Sequence, residues 1–196
     1  LKRVHSYGFT EPTPIQQKSI PLIQEGKDVV ALSLTGSGKT LAFGLPLLEK
    51  VQPGKGTQAL ILAPTRELAC QVKDMLLEFS FTRIHITAVY GGVGMQPQID
   101  ALHRGAEIVV ATPGRMLDHI RRNNANLTHV RYLVLDEADK MFEMGFIEDV
   151  QEIIKYLPKE KQTLLFSATM PEEIHKLIEH SLHHPVTVRE KLHVDK

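Results

Sequence analysis

An α/β fold, a parallel β-sheet with helices on both faces, follows from three observations. Short apolar runs rich in Val, Ile and Leu alternate with segments of helical period along the chain. Runs such as "YLVL" (132–135) are apolar at every position, as strands buried on both faces require. The stretch "SLTGSGKT" (33–40) stands between such a run and a helical segment, where a phosphate-binding loop sits in this class.

The elements follow in order. Helix 14–24 begins at Thr13-Pro14, with proline where a first helical turn tolerates it. Strand 29–33 leads into the loop, and helix 39–51 leaves it. Strand 58–63 ("QALILA") precedes helix 66–79, and strand 84–90 precedes helix 95–104. Strand 107–111 then leads to helix 114–122, and strand 130–135 to helix 146–156. Strand 162–167 is followed by helix 171–182, which opens at Met170-Pro171, and strand 186–189 closes the pattern. Ligands of such sheets gather at the carboxyl ends of the strands, so the residues just after each strand carry the functional interest.

The 196 residues, 42% hydrophobic, suffice for one core and predict one domain. Lys and Arg number 23 and so do Asp and Glu, which excludes a broadly basic surface. Any nucleic-acid contact must use a local patch or backbone donors. The single cysteine, Cys70, excludes an internal disulfide, suits a reducing compartment and is expected to be a small buried hydrophobe. No apolar run approaches the ~20 residues of a membrane span. A monomeric cytoplasmic protein without membrane contact is expected. The chain opens on Leu1 and not on Met, so an upstream segment is expected to be missing, and the charged tail reads as a linker or a cut end. His175, His180, His183 and His184 do not form a metal set: no cysteine is near, and two are adjacent, so they cannot share a helical face. They read as a solvated helix end.

Gly36 and Gly38 allow the backbone to curl so that several N–H groups, with those of Thr35 and Ser37, point at phosphate oxygens. Lys39 can reach the outer phosphates, and the Thr40 hydroxyl can ligate Mg²⁺. The first glycine of the usual pattern is replaced by Ser33. Such a loop needs a carboxylate on the metal side at a neighbouring strand end, and "YLVLDEAD" (132–139) supplies one. Asp136 and Glu137 leave the strand in different directions, so Asp136 can hold the Mg²⁺ shell while Glu137 orients or deprotonates water. Together these motifs predict an NTPase.

At "DEAD" (136–139) the sequence resembles the DEAD-box RNA helicase family, and an ordered set of further motifs extends the resemblance over about 1–189. "GFTEPTPIQ" (8–16) is similar to the Q motif, "PTRELA" (64–69) to motif Ia, and Gly91-Gly92 to the glycine doublet. "TPGR" (112–115) is similar to motif Ib and "SAT" (167–169) to motif III, and "GGVGMQPQ" (91–98) resembles the bacterial RhlE branch. The resemblance implies an N-terminal RecA-like domain over 1–189, with 190–196 a linker or cut end and the C-terminal RecA-like domain absent. It implies ATP and Mg²⁺ as cofactors, with Gln16 reading adenine, a role its amide suits. The aromatic residue of the Q motif would lie upstream of Leu1, and Phe9 reads as a core residue.

It further implies that Thr65, Arg66, Gly92, Thr112, Gly114 and Arg115 hold an RNA backbone with weak sequence preference. Arg66 can alternatively pair with Glu67 on the helix surface. Asp139 is implied to bond Ser167 and Thr169 and to couple the nucleotide state to RNA. The implied activity is ATP-dependent opening of short RNA duplexes or remodelling of RNA–protein complexes, with an arginine supplied by the absent domain. Two other readings stay open: an ATP-gated RNA clamp, and a DNA translocase of the wider superfamily, against which the Q motif and the "DEAD" form speak.

Overall fold

In the computed structural model, which describes residues 11–34 and 36–190, strands and helices alternate as the periodicity requires. Helix α1 (Pro14–Gln24) precedes β1 (Val29–Leu32), and α2 (Lys39–Lys50) precedes β2 (Ala59–Leu62). Then come α3 (Arg66–Phe79), β3 (Ile86–Val89), α4 (Gln96–His103), β4 (Ile108–Ala111) and α5 (Pro113–Arg121). The chain continues through β5 (Tyr132–Leu135), α6 (Ala138–Glu143), α7 (Ile147–Lys155), β6 (Gln162–Ser167), α8 (Glu172–Ser181) and β7 (Val186–Arg189).

Among the described residues seven strands form one sheet, ordered β3-β4-β2-β5-β6-β1-β7. Every pair is parallel, so all the carboxyl ends lie along one edge. The ladder is shorter than several of the predicted runs because their end residues leave it into the loops. Alternation along the strands then sorts the core into two layers. Leu60, Leu62, Leu133 and Leu135 face one side, where Met116 of α5, Met141 of α6, Val150 of α7 and Leu177 of α8 cover them. Ala59, Ile61 and Val134 face the other, beneath Ile15 of α1, Phe43 of α2 and Leu76 of α3. Phe43 meets Phe166 edge to face, ring centroids 5.3 Å apart.

Two local readings change. The segment after the acidic pair, left without an element by the periodicity, forms a helix: α6 begins at Ala138. The helix is six residues long, too short for a periodic signal to emerge. Cys70 is only half buried on α3. None of the helices among the described residues is long and apolar enough to cross a membrane.

Candidate functional site: a phosphate loop and a groove on one sheet edge

The order of the strands divides the carboxyl edge into two neighbouring regions. β5, β6 and β1 are adjacent, and their ends carry the phosphate loop, Asp136 and Glu137, and Ser167. β3, β4 and β2 are adjacent, and their ends carry Gly92, Thr112 and Thr65.

In the first region Gly36 and Gly38 have φ of +83° and +84°, a left-handed backbone that side chains resist. Gly38 is the N-cap of α2 and supplies no side-chain cap, so the first amides of the helix present the positive end of its dipole to the loop. A Cβ on Gly38 would stand 2.6 Å from Gln16 Nε2 and 2.8 Å from Thr13 Oγ1. Helix α1 therefore closes on the loop as tightly as a glycine allows. Thr35 lies outside the described residues, as do Gly8, Phe9 and Thr10 of the Q-like stretch.

Gln16 is 7% exposed, and its amide is engaged at both ends. Oε1 accepts from Thr13 N at 2.9 Å, closing a capping box, while Nε2 donates to Gly38 O at 3.0 Å. One further N–H and one acceptor lone pair remain to the amide for a base edge.

Lys39 Nζ lies between the two carboxylates, 2.9 Å from Asp136 Oδ1 and 3.1 Å from Glu137 Oε1. Asp136 is 0% exposed, and neither carboxylate oxygen has a well-formed hydrogen bond despite the ion pair. Burial pushes its carboxyl above the usual range against the pull of Lys39. For Glu137 burial also acts upward, but the ammonium groups of Lys39 and Lys140 outweigh it and hold the carboxyl low. Glu137 has φ +49°, a left-handed backbone at the N-cap of α6, and the expected divergence of the two carboxylates is not seen: both reach the Lys39 ammonium.

The SAT stretch closes onto this corner. Asp139 Oδ2 accepts from Thr169 N at 3.1 Å and from Thr169 Oγ1 at 3.0 Å. Ser167 Oγ accepts from Asp139 N at 3.2 Å and donates to Thr169 O at 2.7 Å. Ser33 N, at the start of the loop, donates to Ser167 O at 3.0 Å. The structure thus joins Asp139, Ser167 and Thr169 in one hydrogen-bonded unit that touches the phosphate loop.

In the second region Thr65 caps α3, its Oγ1 accepting from Leu68 N at 3.2 Å. Arg66 lies over the ring of Tyr90, 4.8 Å from the centroid, and no ion pair with Glu67 occurs among the described residues. Gly92 has φ +81° and open space where a Cβ would be. Thr112 is the N-cap of α5 without a side-chain bond, and Gly114 is exposed in the first turn. Arg115 is engaged at the surface: Nη1 and Nη2 each donate to Val93 O at 3.0 Å. Its first partner is the glycine-doublet loop, and only its remaining protons face outward. Sequence reasoning missed Tyr90, which stacks with Arg66, and Gln98 and His119, which lie buried beneath this region. Gln98 closes the quoted stretch "GGVGMQPQ", the one signal that was available.

The DEAD/DEAH box helicase family model matches residues 13–177. The chain belongs to the DEAD/DEAH box helicase family. Relatives in this family include the ATP-dependent RNA helicase CshA of Listeria monocytogenes, 52% identical over 97% of this chain and 37% of its own length. The ATP-dependent RNA helicase DeaD of Haemophilus influenzae is 48% identical over 98% of this chain and 32% of its own. A crystal structure of a DEAD box protein from Methanococcus jannaschii superimposes with a TM-score of 0.95 at 46% identity, covering 97% of this chain and 53% of that one. The chain therefore spans about a third of the length of these curated helicase relatives, and the RecA-like fold expected from the motifs is the one observed.

Proposed function

We propose that this chain is the nucleotide-binding half of an ATP-dependent RNA helicase, with the loop region taking ATP and Mg²⁺ and the neighbouring region taking an RNA backbone. The observation that carries the reading is the division of one sheet edge into two adjacent regions, one of which brings the phosphate loop, Lys39, Asp136 and Glu137 together. The names of the helicase relatives support the substrate pair.

The residues present fit a magnesium-bound nucleotide. Ser37 Oγ and both Asp136 oxygens are buried without well-formed hydrogen bonds, and α2 has an uncapped N-terminus beneath two left-handed glycines. Gly36, Ser37, Gly38 and, by sequence, Thr35 would hold the phosphates through N–H groups. Thr40 and Asp136 would hold Mg²⁺, which supplies charge neutralisation at the phosphate oxygens. Lys39 would exchange its two carboxylate partners for phosphate oxygens. Glu137, held as a carboxylate, would orient or deprotonate the attacking water. Gln16 would use the unspent capacity of its amide on adenine.

In the second region Thr65, Arg66, Gly92, Thr112, Gly114 and Arg115 would hold backbone phosphates, which carry little base information. A second RecA-like domain would complete both sites and supply the missing arginine, in a cytoplasmic monomer. Nucleotide binding tests the first half of the reading: ADP should bind better than GDP with Mg²⁺, Gln16→Ala should erase most of that preference, and Lys39→Ala should weaken every nucleotide. An unchanged ratio in Gln16→Ala overturns the adenine role. Competition between RNA and DNA strands for stimulation of ATP hydrolysis by the longer protein tests the second half, and equal stimulation by both argues for a DNA-directed enzyme.

A further inference from the structure

Two polar side chains lie buried beneath the second region without forming part of its surface. Gln98 is 6% exposed and His119 is 0% exposed. Polar groups at such depth destabilise the fold unless they are paired. Both are paired, and their bonds converge on one loop. Gln98 Nε2 donates to Tyr90 O at 2.9 Å, while Oε1 accepts from Arg115 Nη1 at 3.3 Å and lies 2.9 Å from His119 Nε2. Asn124 Nδ2 lies 3.1 Å from His119 Nδ1. Arg115 then grips Val93 O with two N–H groups.

Chemistry assigns the protons of this network. A guanidinium has donors only, so the Gln98 atom facing Arg115 is the oxygen, and the amide nitrogen faces the Tyr90 carbonyl. With that oxygen before it, His119 Nε2 carries the ring proton and Nδ1 accepts from Asn124. His119 is neutral in this arrangement. Burial lowers its proton affinity, the Arg115 and Arg122 charges lower it further, and Asp118 acts in the opposite direction. The partners from the other packed segments, Gln98 and Asn124, are uncharged.

We propose that Gln98 and His119 are positioning residues for nucleic-acid binding: they lock the Arg115 guanidinium onto Val93 and so hold Gly92 and its neighbours in the shape that accepts a phosphate. The proposal rests on the RNA reading above for its purpose but not for its geometry. With Gln98 removed, Arg115 loses the acceptor that sets its plane, and the Tyr90 carbonyl loses its donor. The loop from Tyr90 to Gly94 then keeps only the two bonds from Arg115 to Val93 O, made by a guanidinium that Gln98 no longer holds.

The test uses the 196-residue chain, labelled for NMR, with wild type, Gln98→Leu, His119→Phe and Gln98→Glu. A ten-nucleotide oligouridylate at low salt should shift the Gly92 and Arg115 amides of wild type. Gln98→Leu and His119→Phe should weaken that binding at least fivefold while ADP affinity stays within twofold, a split that general destabilisation would not produce. Without RNA, amide exchange at Gly92, Val93 and Gly94 should quicken in both variants. Should wild type not respond to RNA, the RNA reading fails while the exchange measurement still judges the positioning. Gln98→Glu keeps the acceptor and adds a charge beside the imidazole, so the His119 titration should move to higher pH. Unchanged exchange in Gln98→Leu, or an unmoved His119 titration in Gln98→Glu, overturns the proposal.

Discussion

Glu137 stands in the left-handed region beside Asp136, and the two carboxylates meet opposite surroundings. One is sealed from water against Lys39; the other answers to two ammonium groups. This asymmetry predicts separable defects. Asp136→Asn should lose Mg²⁺-dependent nucleotide affinity, whereas Glu137→Gln should bind nucleotide and, in the longer protein, turn over very slowly. Titration calorimetry with and without Mg²⁺ distinguishes them, and equal binding defects would end the division of labour. His119 makes a prediction in pH. Its folded proton affinity lies below the ordinary histidine value of 6.5, mainly through burial, so the unfolded chain binds the extra proton first. The His119 contribution to stability is therefore fully present above about pH 6.5 and declines as pH falls from there toward the lowered folded value. Urea midpoints between pH 5 and 7.5 should fall less in His119→Gln than in wild type.

Among the elements, α1 is the one held from both ends. Its N-terminal turn is bonded to the phosphate loop through Gln16 and Gly38. Its C-terminal carbonyl, Ile23 O, accepts from Lys50 Nζ at 2.6 Å and from Gln162 Nε2 at 3.0 Å. These bonds fix the distance between α1 and the loop, and Gly38 is the point of the loop with no room to spare. Gly38→Ala would demand a left-handed alanine, about 1–2 kcal/mol, and would press its Cβ on Gln16 and Thr13. The variant should melt several degrees lower and lose ADP affinity at least tenfold. Gly36→Ala, with open space at the same backbone angle, should lose stability through the angle alone. If both variants behave alike, the contact with α1 does not matter.

At the scale of the whole molecule, the two candidate regions lie side by side along one edge of the sheet. No arginine stands among the phosphate-loop residues 33–40. Arginines that reach a transferred phosphoryl group from outside contribute about 10³ to 10⁵ in rate. The 196-residue chain should therefore bind ADP, hydrolyse ATP barely above background and respond little to RNA. Attachment of the downstream part of the longer protein should restore turnover and RNA stimulation together, since one closure would build both sites. Robust RNA-stimulated hydrolysis by the chain alone would show that the loop region is a complete enzyme.

What the sequence alone determined is local: the fold class, the phosphate loop after the first strand, and the acidic pair after a buried one. Each rests on residues within one strand–turn–helix unit, where spacing dictates backbone angle and direction. The order of strands was not legible. Apolar runs report that a strand is buried on both faces, not which strand lies beside it, and the pairing of Leu32 with Ser167 joins residues far apart in sequence. That order is what places the phosphate loop and acidic pair in one region and Thr65, Gly92 and Thr112 in the next. Nor could the sequence say that Arg115 bonds Val93 and Gln98, because a guanidinium goes where acceptors are, and its acceptors come from the β3–α4 connection and α4. Nor does the sequence mark Gln98 or His119, for the same reason. Only packing shows that both are buried, and only their shared partners give them a purpose.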